Sequence, residues 1–176
     1  MKSKDELVQL LRNGLIDEYN EVRSTESQDM SEIDLSGCDI HGANLADSDL
    51  TGSDFSECDL TNVDFTNSDI SAVVFTRATL KETNFTGTTL AGTKFGNSDI
   101  IKCDFTEADM VGADFIEADL SNTDLSLALN LSQCIFDSFT IWPDTDSLPD
   151  DFDPEYIEDL SSLKDEDDEL ESEYGY

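Results

Sequence analysis

The 176 residues carry 42 Asp and Glu against 9 Lys and Arg and one His, a formal charge of −33. That imbalance opposes binding to nucleic acid or an anionic membrane surface, which would repel it, and leaves basic proteins as partners. No run of 18 apolar residues is present and the start of the chain lacks a signal-peptide core, so a soluble, cytoplasmic protein is expected.

Residues 1–30 read as a helical cap. Ser3 and Glu6 have capping-box spacing. Leu7, Leu10, Leu11, Leu15 and Tyr19 form an apolar stripe at near-helical spacing, which Gly14 divides into two short helices.

From residue 31 to 125 a different rhythm holds. A large apolar residue stands at 35 and at every fifth position to 125, giving 19 consecutive pentads without an insertion. Neither the 3.6-residue helical period nor the two-residue strand period fits a beat of five. A small or compact residue lies two positions before each centre, as at Cys38, Ala43, Ser48, Ser53, Cys58 and Val63. Such repetition implies a solenoid, in which each unit buries its apolar side by stacking on the next. A second period lies inside the first: Phe55, Phe75, Phe95 and Phe115 are 20 residues apart, as are Phe65, Phe85 and Phe105. Ile40, Leu60, Leu80, Ile100 and Leu120 make an aliphatic series, and so do Leu50, Ile70, Leu90 and Met110. Four pentads therefore make one coil with four inward columns, two of Phe on opposite sides and two aliphatic.

After Leu125 the beat fails. Residues 126–142, with Leu127, Leu129 and Leu131 alternating before Phe136, Phe139, Ile141 and Trp142, read as a closing cap over the last apolar layer. From residue 143 to 176 there are 15 acids and one Lys. A short helix with Asp153 as its N-cap and Pro154 in its first position is expected, followed by a disordered acidic tail.

The pentads "GANLA", "CDLTN", "EADMV" and "EADLS" resemble the A(D/N)LXX pattern of the pentapeptide-repeat family, over residues 31–125. The segments "ELVQLLRNGLIDEYNEVR" and "FTIWPD" resemble the N-terminal cap and post-repeat segment of its bacterial and cyanobacterial members. The resemblance implies an all-β solenoid, a right-handed quadrilateral parallel β-helix of about five coils. The centre and the residue two before it would point inward, and the residue just before the centre outward. It also implies mostly non-catalytic roles. The best-understood members bind DNA gyrase or topoisomerase IV by imitating DNA, and some dimerise end to end, here through the C-terminal segment.

Thirteen of the 19 outward positions are acidic: Asp34, Asp39, Asp49, Asp54, Asp59, Asp64, Asp69, Asp99, Asp104, Asp109, Asp114, Asp119 and Asp124. At about 4.8 Å per stacked strand the column is ~23 Å tall. Its acids then recur every ~1.8 Å, against one phosphate per ~1.7 Å of duplex axis. Val74, Thr79, Asn84, Thr89 and Lys94 interrupt the series, with Arg77 and Lys81 in the same stretch. Two acidic bands would thus flank a neutral-to-basic belt, suited to docking or to relieving repulsion between stacked charges. The competing reading is a structural acidic solenoid whose charge serves solubility or salt adaptation.

Other constellations are weaker. Asp47, Asp49, Thr51 and Gly52 match the first positions of a calcium loop, but Cys58 stands where the bidentate Glu belongs. Cys38 and Cys58 would stack in one inward column as small buried thiols, although a disulfide is geometrically imaginable. No CxxC pair accompanies the single His41, so no zinc site is expected. Ile101, Val111 and Ile116 are unusual on an exterior and suit a partner or dimer surface. With acids on a convex, wet face and no nucleophile or phosphate-loop motif, neither catalysis nor a cofactor is expected.

Overall fold

A computed structural model describes residues 2–23, 27–150 and 152–154. The short helix expected after Asp153 and the acidic tail lie outside these residues.

The chain opens with two helices, α1 (Lys4–Arg12) and α2 (Ile16–Val22). The expected capping box closes α1: the Ser3 hydroxyl accepts the Glu6 amide at 3.3 Å, and the Ser3 amide donates to Glu6 Oε2 at 2.8 Å. These bonds satisfy donors that a helix start otherwise leaves orphaned. Gly14, at φ +67°, turns the chain between the helices. Leu7, Leu10, Leu11 and Tyr19 are buried against the repeats, but Leu15 sits in the inter-helix turn and is exposed.

The repeats form few long strands. β1 (Gln28–Asp29) pairs in parallel with β2 (Ser48–Asp49), and β3 (Thr79–Lys81), β4 (Asp99–Asp104) and β5 (Asp119–Asp124) form a second parallel sheet. Elsewhere single parallel bridges join residue i to i+20, from Asp34↔Asp54 to Lys94↔Asp114. A 20-residue register with four bridges per turn makes a coil of four short sides. Every central residue from Leu35 to Leu125 has no exposed surface, and Met30 extends the Leu50 column by one level.

The two Phe columns meet in the middle of the coil. Rings in one column stack at 4.8–5.6 Å between centroids, as with Phe85 on Phe65 and on Phe105. Rings of opposite columns meet edge to face at 5.7–6.3 Å. Both arrangements satisfy the ring quadrupole.

The small residue before each centre has a polar task as well. Ser53, Ser68, Thr83, Thr93 and Thr123 donate their hydroxyls to the carbonyls of Met30, Leu45, Leu60, Ile70 and Ile100, at 2.7–3.2 Å. Cys58 and Cys103 direct their thiols at the Leu35 and Leu80 carbonyls in the same way. The four cysteines are free thiols, so the column holds no disulfide.

The ladder does not stop at Leu125. Leu129, Ile135 and Ile141 bridge in parallel to Asp109, Asp114 and Asp119, and the Leu125 amide donates to the Ser147 carbonyl at 2.7 Å. The segment expected as a plain cap therefore winds a further coil, in steps of six residues rather than five. Phe136, Trp142 and Phe152 cluster on it, with ring centroids 5.0–6.1 Å apart.

Candidate interaction surface

The register sorts the outward residues into four vertical ladders. One runs Asp34, Asp54, Val74, Lys94, Asp114, Ile135; the next runs Asp39, Asp59, Thr79, Asp99, Asp119, Ile141. The third is Asn44, Asp64, Asn84, Asp104, Asp124, and the fourth Asp29, Asp49, Asp69, Thr89, Asp109, Leu129. All thirteen sequence-designated acids lie in these ladders, and Asp29 joins them. Val74, Thr79, Asn84 and Thr89 occupy one complete coil, so the interruption circles the column once and runs on to Lys94, one rung below Val74.

The acids are not simply displayed. Twelve of the thirteen accept, through Oδ1, the amide two residues on. This is an Asx turn, which fixes the corner between two sides of the coil. Ser36, Ser56, Thr66 and Ser71 add their hydroxyls to the same oxygens at 2.6–2.7 Å. Asp99 is the exception among the described residues. Asn44 and Asn84, which carry no charge, make the same bond to the amides of Ala46 and Thr86.

At Asp34, Asp124 and Asp29 such bonds favour the charged form. The Ser36 hydroxyl and amide hold Asp34 below the usual carboxylate range, and Ser126 does the same for Asp124. The Ser31 hydroxyl and amide, with Lys4 beside them, hold Asp29 at about 2. His41 Nδ1 lies 2.9 Å from Asp39 Oδ1, which lowers the Asp39 pKa and raises that of His41.

The belt cations differ from one another. Arg77 pairs with Glu57 at 2.5 Å, one coil above, whereas no ion pair forms at exposed Lys81 or Lys94 among the described residues. Of the three apolar residues noted in the repeats, Val111 is exposed, and Ile101 and Ile116 are half-buried.

The cap contributes residues that sequence reasoning did not single out. The Arg12 guanidinium donates to the Asp34 carbonyl, and Arg23 donates to Asn44 Oδ1 and the Ala46 carbonyl. Asn20 gives its amide to the Gly42 carbonyl and accepts the Asn44 amide. They pair the open edge of the first coil, which would otherwise present unmatched backbone groups. Polar residues beside the apolar stripe of the two helices were the available signal.

No constellation suited to covalent or acid–base chemistry lies in the described residues. Burial pushes the Cys58, Cys103 and Cys134 thiols up to about 12, away from nucleophilic thiolate. The cleft beside His41, between α2 and the first coil, is open and carries Asp17 and Glu18 at its rim. No group of three or more His, Cys, Asp or Glu able to hold a metal ion is found among the described residues.

The family model for pentapeptide repeats matches residues 29–67, 68–106, 88–126 and 97–137. No curated protein matches the chain. Among solved structures, Rfr23 from the cyanobacterium Cyanothece aligns at 18% identity over 66% of this chain and 86% of its own, with a TM-score of 0.40. HetL from the cyanobacterium Nostoc, involved in heterocyst differentiation regulation, aligns at 15% identity over 72% and 77%, with a TM-score of 0.33. QnrB1, a plasmid-mediated fluoroquinolone resistance protein, aligns at 12% identity over 84% and 99%, with a TM-score of 0.36. With parallel ladders on a 20-residue register and the repeat match across residues 29–137, the protein belongs to the pentapeptide-repeat family and has its right-handed β-helical fold.

Proposed function

We propose that the protein is a non-catalytic, cytoplasmic binding scaffold whose two acidic bands engage a basic, DNA-binding protein. The observation that carries this reading is the vertical register of carboxylates: Asp34 above Asp54, Asp39 above Asp59, Asp49 above Asp69 and, beyond the belt, Asp104 above Asp124. Stacked one strand spacing apart, about 4.8 Å, they repeat charge along the axis at a density near that of duplex DNA. The Asx turns hold one oxygen of twelve of the thirteen carboxylates, on side chains that are exposed or half-exposed, so the charge is both fixed in place and presented. DNA gyrase and topoisomerase IV are the partners that the family resemblance names. Dimerisation through the C-terminal end would lengthen the acidic column.

A pull-down of gyrase and topoisomerase IV at low ionic strength, with a DNA supercoiling assay, tests the assignment. Capture and inhibition support it; neither, at any salt concentration, removes the topoisomerases as partners.

A second reading has its own observation. Because twelve of the acids close turns, these side chains serve the fold even without a partner. In that case the protein is a structural acidic solenoid whose charge serves solubility or salt adaptation. Stability that climbs with molar salt, without partner capture, favours it.

A further inference from the structure

We propose that the outside of the last coil is a docking surface for a basic amphipathic segment of a partner protein. At this level the ladders change character. Leu129, Ile135 and Ile141 stand below Asp109, Asp114 and Asp119, in the outward place that carries Asp through most of the column. They are 49%, 41% and 53% exposed, and Phe139, at 70%, lies between Ile135 and Ile141 in the chain. Val111, one coil above, is exposed too.

The core does not require these side chains. Its last layer is filled from within by Leu125, Leu131, Cys134 and Leu148, while Phe136, Trp142 and Phe152 pack on one another. An apolar band on three sides of an otherwise polar column, bought at the cost of solubility, marks a binding surface.

Charge selects the occupant. Asp109, Asp114 and Asp119 lie on the rung above, and Asp137 falls between Ile135 and Phe139. Glu107 and Glu117 stand at the adjoining corners; on the Ile135 ladder the nearest cation is Lys94, above Asp114. A second copy would set the same acids against them, and residues 155–176 of this chain bring ten acids with only Lys164. A segment with an apolar stripe flanked by Lys and Arg fits both the band and its border. This goes beyond the scaffold reading, because the surface is apolar and does not depend on topoisomerase being the partner.

The probe is a dye-labelled Leu/Lys peptide of about 18 residues in amphipathic helical order. It is titrated with the full-length protein by fluorescence anisotropy at about 0.15 M salt. It is expected to bind at least roughly tenfold tighter than a scramble of equal charge. Ile135→Asp combined with Phe139→Ser is expected to remove that advantage. Ile135→Asp restores the residue type of Asp34, Asp54 and Asp114 in the same ladder, and Phe139→Ser alone gives a variant changed only at an exposed position. Equal affinity for the scramble, tighter binding of a Leu/Glu counterpart, or binding unchanged in these variants overturns the proposal. So does a wild-type dimer in sedimentation that the same substitutions dissociate, since a second copy then covers the band. Ile135→Asp adds an acid rather than removing one, so its effect is distinct from any loss of topoisomerase binding.

Discussion

Asp54 Oδ1 accepts both the amide and the hydroxyl of Ser56, at 2.8 Å and 2.6 Å. The acid before each apolar centre is thus a turn-former first and a surface charge second. Asp54→Ala is expected to lower stability by about 1 kcal/mol, and Asp54→Asn by less than half of that, because the amide oxygen still accepts. Asn44 and Asn84 already make this substitution in the native ladders. Urea unfolding of the two variants checks the ordering; equal losses would mean that charge, rather than the turn bond, holds the corner.

His41 and Asp39 give a pH-dependent pair on the same principle. Hydrogen bonding to Asp39, then its charge, raises the His41 pKa above the ordinary 6.5. The sign follows directly: the contribution is complete below the unfolded value and is lost as pH rises through the folded one. Asp39 is depressed, so its share is present above the ordinary carboxylate value and lost as pH falls through its folded pKa. An NMR titration should show the His41 pKa returning toward 6.5 in Asp39→Asn. No movement would show that the contact does not persist in solution.

Tyr19 is fully buried under the cap, and among the described residues its hydroxyl has no hydrogen-bond partner. Burial pushes its pKa to about 12. An unpaired buried hydroxyl costs about 1–3 kcal/mol, so Tyr19→Phe should leave thermal stability unchanged or raise it. A fall of several degrees in Tm would reveal a partner for that oxygen.

Together with Lys94, the belt of Val74, Thr79, Asn84 and Thr89 separates acids that would otherwise stack without a break. Replacing all four with Asp continues the like-charge stacking in the ladders without Lys94, at about 0.2–1 kcal/mol for each unfavourable pair. The variant should melt lower than wild type in dilute buffer and recover most of the difference in molar salt, where the Debye length falls to about 3 Å. A salt-independent loss would assign the belt a packing role instead.

How far the fold could be read from the chain follows from where its physics repeats. A central residue such as Phe85 meets nearly the same surroundings as Phe65 and Phe105, one coil to either side, so periodicity alone located the core. Asp54 illustrates what periodicity hides. A recurring outward acid looks identical whether it closes a turn or awaits a partner, and only the bond to Ser56 separates the two. The last coil escaped because its steps lengthen to six residues, from Leu129 to Ile135 to Ile141, and its outward residues are apolar. Leu15 misled for a different reason: it kept helical spacing with Leu11, but Gly14 breaks the helix before it.

The central claim concerns the charge that the ladders present. Its most direct test is the salt dependence of topoisomerase binding to wild type and to a variant with Asp34, Asp39, Asp49, Asp54, Asp59, Asp64 and Asp69 all changed to Asn. Asn keeps the turn bonds, so the variant should remain folded while losing one acidic band. Wild type should bind, with affinity falling steeply as salt rises, and the variant should bind at least roughly tenfold more weakly with a shallower slope. Equal affinities and equal slopes, with both proteins folded, would contradict a function carried by the acidic bands.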